Sequence, residues 1–151
     1  MASKPVAKYT GYVYELMQPV KSGYSNNMLR SYQEDAINKQ FLGLIETAKK
    51  GMTGENPFIT VVDTSSSMTG LVPGTKISAY DVAKSMALYF SYLLKGPFHN
   101  HWMEFNHNCI LKKWVGDTPV KKLQNDRSEA YGSTDFESVA RTFVEIRQSG
   151  V

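Results

Sequence analysis

A short run of apolar residues that ends in an acidic residue constrains the fold more than any other feature of this sequence. Residues 58–62, Phe-Ile-Thr-Val-Val, lead directly into Asp63. A nearly continuous apolar run is typical of a strand that is buried on both faces, as in a parallel sheet. A polar loop follows over residues 64–76, and apolar residues then recur at helical spacing over residues 78–95. This order predicts a strand, a loop and a helix, the unit from which α/β folds are built.

Further elements extend this pattern on both sides. Hydrophobic periodicity and turn residues predict a β-like segment at 9–17, a helix at 28–50, strands at 101–105 and 109–115, a short helix at 119–123 and a helix at 136–149. The two later strands are separated by three residues, which predicts a hairpin. Ser78 and Asp81 have the spacing of a capping box for the helix that follows the polar loop. Strands that alternate with helices predict an α/β layered fold.

Length and composition limit the classes of protein to which the chain can belong. Its 151 residues suit one compact unit, and 42% apolar with 21% charged residues is ordinary for a globular protein. No apolar run approaches the roughly 20 residues that a membrane span needs. The net charge of +3 is small and scattered, so it neither requires nor excludes a nucleic-acid partner. With one cysteine and no apolar leader, we expect a cytoplasmic protein without an internal disulfide.

Three oxygen-bearing side chains follow the predicted strand at alternate positions: Asp63, Ser65 and Ser67. In open α/β sheets, ligands bind at the carboxyl ends of the strands. An acid and two hydroxyls in one turn can direct their oxygens to one point, and oxygen ligands suit Mg²⁺ or Mn²⁺. The alternative is an ordinary loop, since Asp, Ser and Thr often bond to nearby backbone in loops. The position between a buried strand and a helix favours the metal site.

A second candidate segment lies far downstream, in the sequence Gly-Ser-Thr-Asp that begins at Gly132. Its threonine, Thr134, lies between a glycine turn and a predicted helix. Thr134 and Glu137 have the spacing of a capping box. One hydroxyl can cap a helix in one state and approach a metal in another, and the sequence leaves both roles open.

Together, these two segments resemble the metal-ion-dependent adhesion site of von Willebrand factor A-like domains. The resemblance rests on Asp63-x-Ser65-x-Ser67 and on the segment from Gly132 to Asp135, and it covers roughly residues 56–151. The local sequences ITVVDTSSSM and GSTDF are similar to the intracellular branch related to the TROVE and Ro ribonucleoproteins. The resemblance implies a Rossmann-like three-layer sandwich, preceded by an N-terminal extension and a long helix over residues 1–55.

The resemblance also implies a function. In such a site, Ser65 and Ser67 would bind the metal directly, and Asp63 would bind it directly or through water. Thr134 would join when a ligand arrives, and a carboxylate of a partner protein would take the open metal position. Such domains usually mediate interactions and are not usually enzymes. We therefore expect a Mg²⁺- or Mn²⁺-dependent protein-interaction module without catalytic activity.

The chain departs from the family pattern in one respect. The family normally supplies another aspartate from a loop after the next parallel strand, and the sequence ends at Gly150-Val151, where that strand is expected to begin. The expected sandwich is therefore incomplete, with the strand at 58–62 as an apolar edge that favours pairing with another chain. We expect self-association or completion by another chain, and Asp135 is a candidate accessory ligand in place of the missing acid.

Two other functions stay open at this point. One is RNA association, as in TROVE-like proteins. A modest basic patch could contact nucleic acid, with four lysines near two tryptophans: Lys112, Lys113, Lys121, Lys122, Trp102 and Trp114. A solvated charged face is the simpler interpretation of that patch. The other is a structural role in an assembly, in which the metal motif is vestigial.

Two further motifs are weaker. Zinc ligands could come from His99, His101, His107 and Cys109, but residues on strands alternate sides and need not converge. No pair of side chains in the sequence has the pattern of a general acid and base, so hydrolysis is not expected.

Overall fold

The structure is a computed structural model that describes residues 8–20, 29–53 and 58–150. These residues form five α-helices, two short 3-10 helices and three β-strands, which makes the chain a mixed α/β protein. In chain order the elements are α1 (Val13–Met17), α2 (Ser31–Gly51), β1 (Val61–Asp63), a 3-10 helix (Ser66–Thr69), α3 (Ala79–Leu93), a 3-10 helix (Gly96–Phe98), β2 (His101–Phe105), β3 (Cys109–Lys113), α4 (Pro119–Asn125) and α5 (Phe136–Gln148).

The three strands form one mixed sheet in the order β1-β2-β3. β1 runs parallel to β2, with Val61 opposite Met103, and β2 forms the predicted antiparallel hairpin with β3. β1 begins later than the predicted strand at 58–62, and Phe58 is 37% exposed. The prediction of burial on both faces was wrong for this segment, because Val62 is buried on one face whereas Val61 and Asp63 on the other face are only half-buried. The expectation of an edge strand here is confirmed.

The segment at 9–17 does not form the predicted β-like structure. Its second half forms helix α1 instead. The reason lies in the spacing of four buried apolar side chains, which recur at three- and four-residue steps: Val13, Leu16, Met17 and Val20. The helical pattern is only about one turn long, and the surrounding tyrosines favour a strand, so the sequence alone predicts β-like structure here.

The other helices lie close to their predicted positions. The Ser78 hydroxyl accepts the Asp81 amide at 3.1 Å, and the Asp81 carboxylate accepts the Ser78 amide at 3.1 Å, so α3 has the predicted capping box. Helix α4 begins at Pro119, where the Thr118 hydroxyl accepts the Lys121 amide. α2 begins at Ser31, three residues later than predicted.

Helices α1 to α4 and one face of the sheet share a single hydrophobic core. Phe41 of α2 is fully buried and packs edge-on against Tyr89 and Tyr92 of α3, with ring centroids 6.2 and 5.4 Å away. Trp102 of β2 stacks on Trp114 with 5.1 Å between ring centroids. The two N-terminal helices therefore pack in the same core as the sheet.

Helix α5 covers the opposite face of the sheet. The Thr142 hydroxyl donates to the Cys109 carbonyl of β3 at 3.3 Å, and the Phe136 ring lies 5.2 Å from the Phe105 ring of β2. Trp102 and Phe105 are three residues apart on one strand, so their side chains point to opposite faces. The sheet thus has helices on both faces. In the described part of the chain, no helix has the length and apolar character needed to cross a membrane.

Candidate metal site at the carboxyl end of the first strand

The turn that follows β1 brings the three predicted ligands together. Asp63 is the last residue of β1, and its Oδ1 accepts the Ser65 amide at 2.8 Å. This bond closes a tight turn directly after the strand, and the 3-10 helix Ser66–Thr69 continues the turn. The Ser65 and Ser67 hydroxyl oxygens lie 3.2 Å apart. Ser65 is 2% exposed whereas Ser67 is exposed, so this group of oxygens reaches from the interior to the surface.

The downstream segment lies directly beside this turn. The Tyr131 amide donates to the Thr64 carbonyl at 2.8 Å, and the Ser66 amide donates to the Gly132 carbonyl at 3.0 Å. These two bonds join segments that are more than 60 residues apart in sequence. Thr134 is exposed two residues beyond Gly132, and its hydroxyl has no hydrogen-bond partner among the described residues. The two halves of the predicted site are therefore neighbours in space.

The residue that caps α5 is Asp135. Its Oδ1 accepts the Glu137 amide at 3.0 Å, and its Oδ2 lies 3.2 Å from Nη2 of Arg141. The predicted capping box of Thr134 and Glu137 is wrong by one residue, because the carboxylate of the next residue reaches the helix amide instead. Both oxygens of Asp135 face α5, while the Thr134 hydroxyl is left free of a capping role.

A buried polar contact that could not be predicted from the sequence joins three loops at this site. The Thr64 hydroxyl donates to the Phe105 carbonyl at 3.1 Å and accepts from Nδ2 of Asn106 at 3.2 Å. The Asn106 carbonyl accepts the Asp135 amide at 2.7 Å, and Thr64 and Asn106 are 0% and 3% exposed. Asn106 appeared only as a hairpin residue, because asparagine in such a turn usually serves its own backbone.

Gly132 has a conformation and a position that a larger residue would not tolerate. Its φ is +75°, and a Cβ atom there would lie 2.6 Å from Nδ1 of His107. The His107 ring also packs edge-on against Tyr131, with 5.5 Å between ring centroids. This close approach allows the Gly132 carbonyl to reach the Ser66 amide and keeps the downstream segment in place.

A buried ion cluster supports the segment that leads to Gly132. Asp126 Oδ2 lies 2.6 Å from Lys84 Nζ, and its Oδ1 lies 2.9 Å from Lys112 Nζ. The first contact is an ion pair without the alignment of a hydrogen bond. The side chains of Lys84 and Asp126 are 3% and 7% exposed. Ser128 donates to Asp126, and its carbonyl accepts the Tyr80 hydroxyl at 2.6 Å.

Two causes act on the charge of Asp126. Burial raises the pKa of the Asp126 carboxyl, but the charge of Lys84 together with the charge and hydrogen bond of Lys112 lowers it more, so the pKa lies below its ordinary value. Asp126 is therefore ionised at neutral pH and holds residues 126–128 against α3 and β3. No sequence motif indicates this cluster, because its members are far apart in the chain.

The weaker motifs do not converge. His99 and His101 use their Nδ1 atoms on the carbonyls of Leu94 and His99, and burial raises the pKa of the Cys109 thiol, which disfavours a metal-binding thiolate. Over the described ranges, no group of three or more His, Cys, Asp and Glu residues is arranged to hold a metal. A metal site here would depend on serine and threonine hydroxyls.

The basic patch is also not the exposed surface that its sequence suggested. Trp102 and Trp114 are 1% and 2% exposed and stack on each other. Lys112 belongs to the buried ion cluster, and Lys122 donates to Asn100 at 2.7 Å and lies over the Tyr92 ring. The prediction of a solvated face is therefore wrong for Lys112, whose ammonium group contacts Asp126 and Glu104.

Comparison with known proteins adds no relative to these observations. The sequence matches no protein-family model. No curated protein and no solved structure is detectably similar to the chain.

Proposed function

We propose that the chain is a divalent-metal-dependent protein-interaction module of the von Willebrand A type. The observation that carries the proposal is the convergence at the end of β1, where the Ser65 and Ser67 hydroxyls lie 3.2 Å apart beside Asp63. Support also comes from the Gly132 carbonyl, whose bond to the Ser66 amide brings the Thr134 segment to the same place. A strand, a serine turn and a distant threonine loop are thereby combined in one site.

The mixed α/β fold around the site supports the proposal. β1 and β2 are parallel, β3 is antiparallel at the far edge, and helices cover both faces of the sheet. The candidate site lies at the carboxyl end of β1, which is where α/β sheets bind ligands. We infer the finer family assignment from this topology together with the two sequence motifs.

The chemistry of the side chains fits a small, hard cation. One carboxylate and two hydroxyls supply only oxygen, which Mg²⁺ and Mn²⁺ prefer. Asp63, Ser65 and Ser67 would hold the ion, with Thr134 as a further hydroxyl. Asp135 is the weakest member of the predicted set, because its two oxygens are engaged by the Glu137 amide and Arg141. The bound ion would supply a positive centre for an acidic group of a partner.

The protein's own contribution is to hold these oxygens in place before a partner arrives. The Ser65 amide fixes the Asp63 carboxylate, and the buried contact between Thr64 and Asn106 fixes the turn. Thr134 and Ser67 are exposed, so a partner's carboxylate can reach the same point from solvent. Binding of this type gives interaction without chemical turnover, and we propose no catalytic role.

The two other functions receive less support. RNA association is less well supported because Trp102 and Trp114 are buried against each other and cannot stack on bases. A structural role with a vestigial metal motif predicts the same fold without metal affinity, so metal binding itself separates it from the proposal.

Binding of a carboxylate at the metal can be tested with Mn²⁺ as the probe. We expect Mn²⁺ with the protein to enhance the relaxation of bulk water protons, and acetate to reduce this enhancement as it replaces water on the ion. Acetamide, which has a similar size and no charge, is the control and should have little effect. Equal effects of acetate and acetamide would contradict the proposed recognition of acidic groups, even if the metal binds.

A further inference from the structure

The outer edge of β1 is free among the residues that the structure describes. The bonds to β2 include the Thr60 carbonyl at 2.9 Å and the Thr64 amide at 2.8 Å. Since strand residues alternate, the backbone groups of Val61 and Asp63 point away from β2. Open edges pair readily with other chains unless lysine, proline or a bulge protects them, and the two valines of β1 give no such protection.

Helix α5 carries an exposed apolar surface that we call the apolar flank, formed by Phe136, Ala140, Phe143 and Val144. Three of these side chains are large and are 73%, 40% and 55% exposed: Phe136, Phe143 and Val144. They recur at steps of three and four residues, so they form one continuous stripe along the helix. Soluble monomers rarely leave such a stripe uncovered.

The apolar flank begins over β2, which is the strand next to β1. Phe136 contacts Phe105 on β2, whereas Thr142 contacts Cys109 on β3. At about 100° per residue, these two helix positions differ by roughly 120° around the axis. The start of the flank at Phe136 therefore lies on the β2 side of the helix, which is the side nearer to β1. Val61, on the same face as the fully buried Met103, is only half-buried.

We propose that the open edge of β1 and the apolar flank of α5 together form the interface between two copies of this chain. A two-fold axis perpendicular to the sheet would pair β1 with the β1 of the second copy in antiparallel fashion. The two sheets would then form six continuous strands, with both apolar flanks on the same face and turned towards each other. This contact is isologous, so each copy supplies the same surface and the assembly closes as a dimer.

Charges on both elements fit this arrangement. An antiparallel pairing centred on Val62 places Asp63 opposite Val61 of the second copy, so the two carboxylates do not oppose each other. Near the N-terminal end of the apolar flank, Asp135 and Glu137 both contact Arg141, which leaves a net charge of one carboxylate, and Arg147 lies near the other end. When two such flanks meet in antiparallel orientation, this acidic end approaches Arg147 of the other copy. An extended peptide would satisfy the strand edge but would cover little of a flank that spans about two and a half turns.

The dimer does not require a bound metal, and it can be tested by light scattering over a hundredfold range of protein concentration. We expect the mass to change from one chain to two. Val61→Pro removes an outward amide while leaving the bonds to β2, as edge strands tolerate. Val144→Lys places a charge in the exposed flank. Each variant should weaken dimerisation at least tenfold.

The matched control is Val115→Lys, which adds the same charge at another exposed valine, 66% accessible and beyond the end of β3. It should leave dimerisation unchanged. Backbone amide exchange gives a second measurement, because the Val61 and Asp63 amides should be protected only in the dimer. A monomer at every concentration, protection of these amides in a monomer, growth beyond the dimer, or a dimer that both variants leave intact would each overturn the proposal.

Discussion

Replacement of Lys84 by methionine is expected to lower the free energy of unfolding by about 3 kcal/mol, because it leaves a buried carboxylate without its nearest charge. Lys84 Nζ lies 2.6 Å from Asp126 Oδ2, and both side chains are almost inaccessible to solvent. In this variant, Lys112 and Ser128 still bind the other oxygen of Asp126. The loss of stability is therefore expected at the lower end of the range measured when one partner of a buried ion pair is removed. Urea unfolding at neutral pH measures the change.

The control for this variant is Lys121→Met, which makes the same substitution in an exposed pair. Lys121 Nζ lies 3.5 Å from Glu34, and its side chain is 50% exposed, so we expect a loss below about 1 kcal/mol. Equal losses in the two variants would contradict the importance of the buried pair.

The same cluster predicts how stability depends on pH. Because the pKa of Asp126 is lower in the folded protein than its ordinary value of 3.8, the ion pair stabilises the fold above that pH and the stabilisation is lost as the pH falls below it. In Lys84→Met, the positive charge that lowers the pKa of Asp126 is lost while the carboxyl stays buried. The folded-state pKa of Asp126 is therefore higher, and acid unfolding should begin at a higher pH than in the unmodified protein.

Replacement of Phe41 by alanine is expected to cost about 3–5 kcal/mol, the usual loss when a fully buried phenylalanine is removed. Phe41 has no exposed surface, and its ring packs edge-on against Tyr89 and Tyr92, so the substitution opens a cavity between α2 and α3. The adjacent Leu42→Ala is the control, because that side chain is 42% exposed and faces away from this contact. Similar losses from the two variants, compared by urea unfolding, would show that α2 is not anchored in the core through Phe41.

Elements with both periodicity and a terminal signal could be predicted from the sequence. α3 combines an apolar stripe with the Ser78 and Asp81 capping box, and β2 has the observed limits because a turn ends it at Asn106. α1 could not be predicted correctly, since one turn of helical spacing carries little information among tyrosines that also favour strands. β1 was predicted too long because burial was inferred from apolar character alone, and its place at a sheet edge depends on its neighbours.

The candidate site divides in a similar way. Local spacing was sufficient to predict that Asp63, Ser65 and Ser67 share one turn, because the turn is formed by bonds between near neighbours. The residues that position this turn could not be predicted, since Asn106 acts through partners that are distant in sequence. Lys84 and Asp126 were missed for the same reason, and neither belongs to a motif. Thr134 was predicted both as a cap and as a ligand, and the cap is Asp135.

The most direct test of the central claim is a calorimetric titration of Mg²⁺ and Mn²⁺ into the protein, beside Asp63→Ala and the control Asp117→Ala. Asp117 is an exposed carboxylate outside the proposed site, so its removal changes the net charge equally. The account predicts one ion per chain in the unmodified protein and in the control, and an affinity at least tenfold weaker, about 1.4 kcal/mol, in Asp63→Ala. The absence of binding to the unmodified protein, or equal binding to all three, would contradict it.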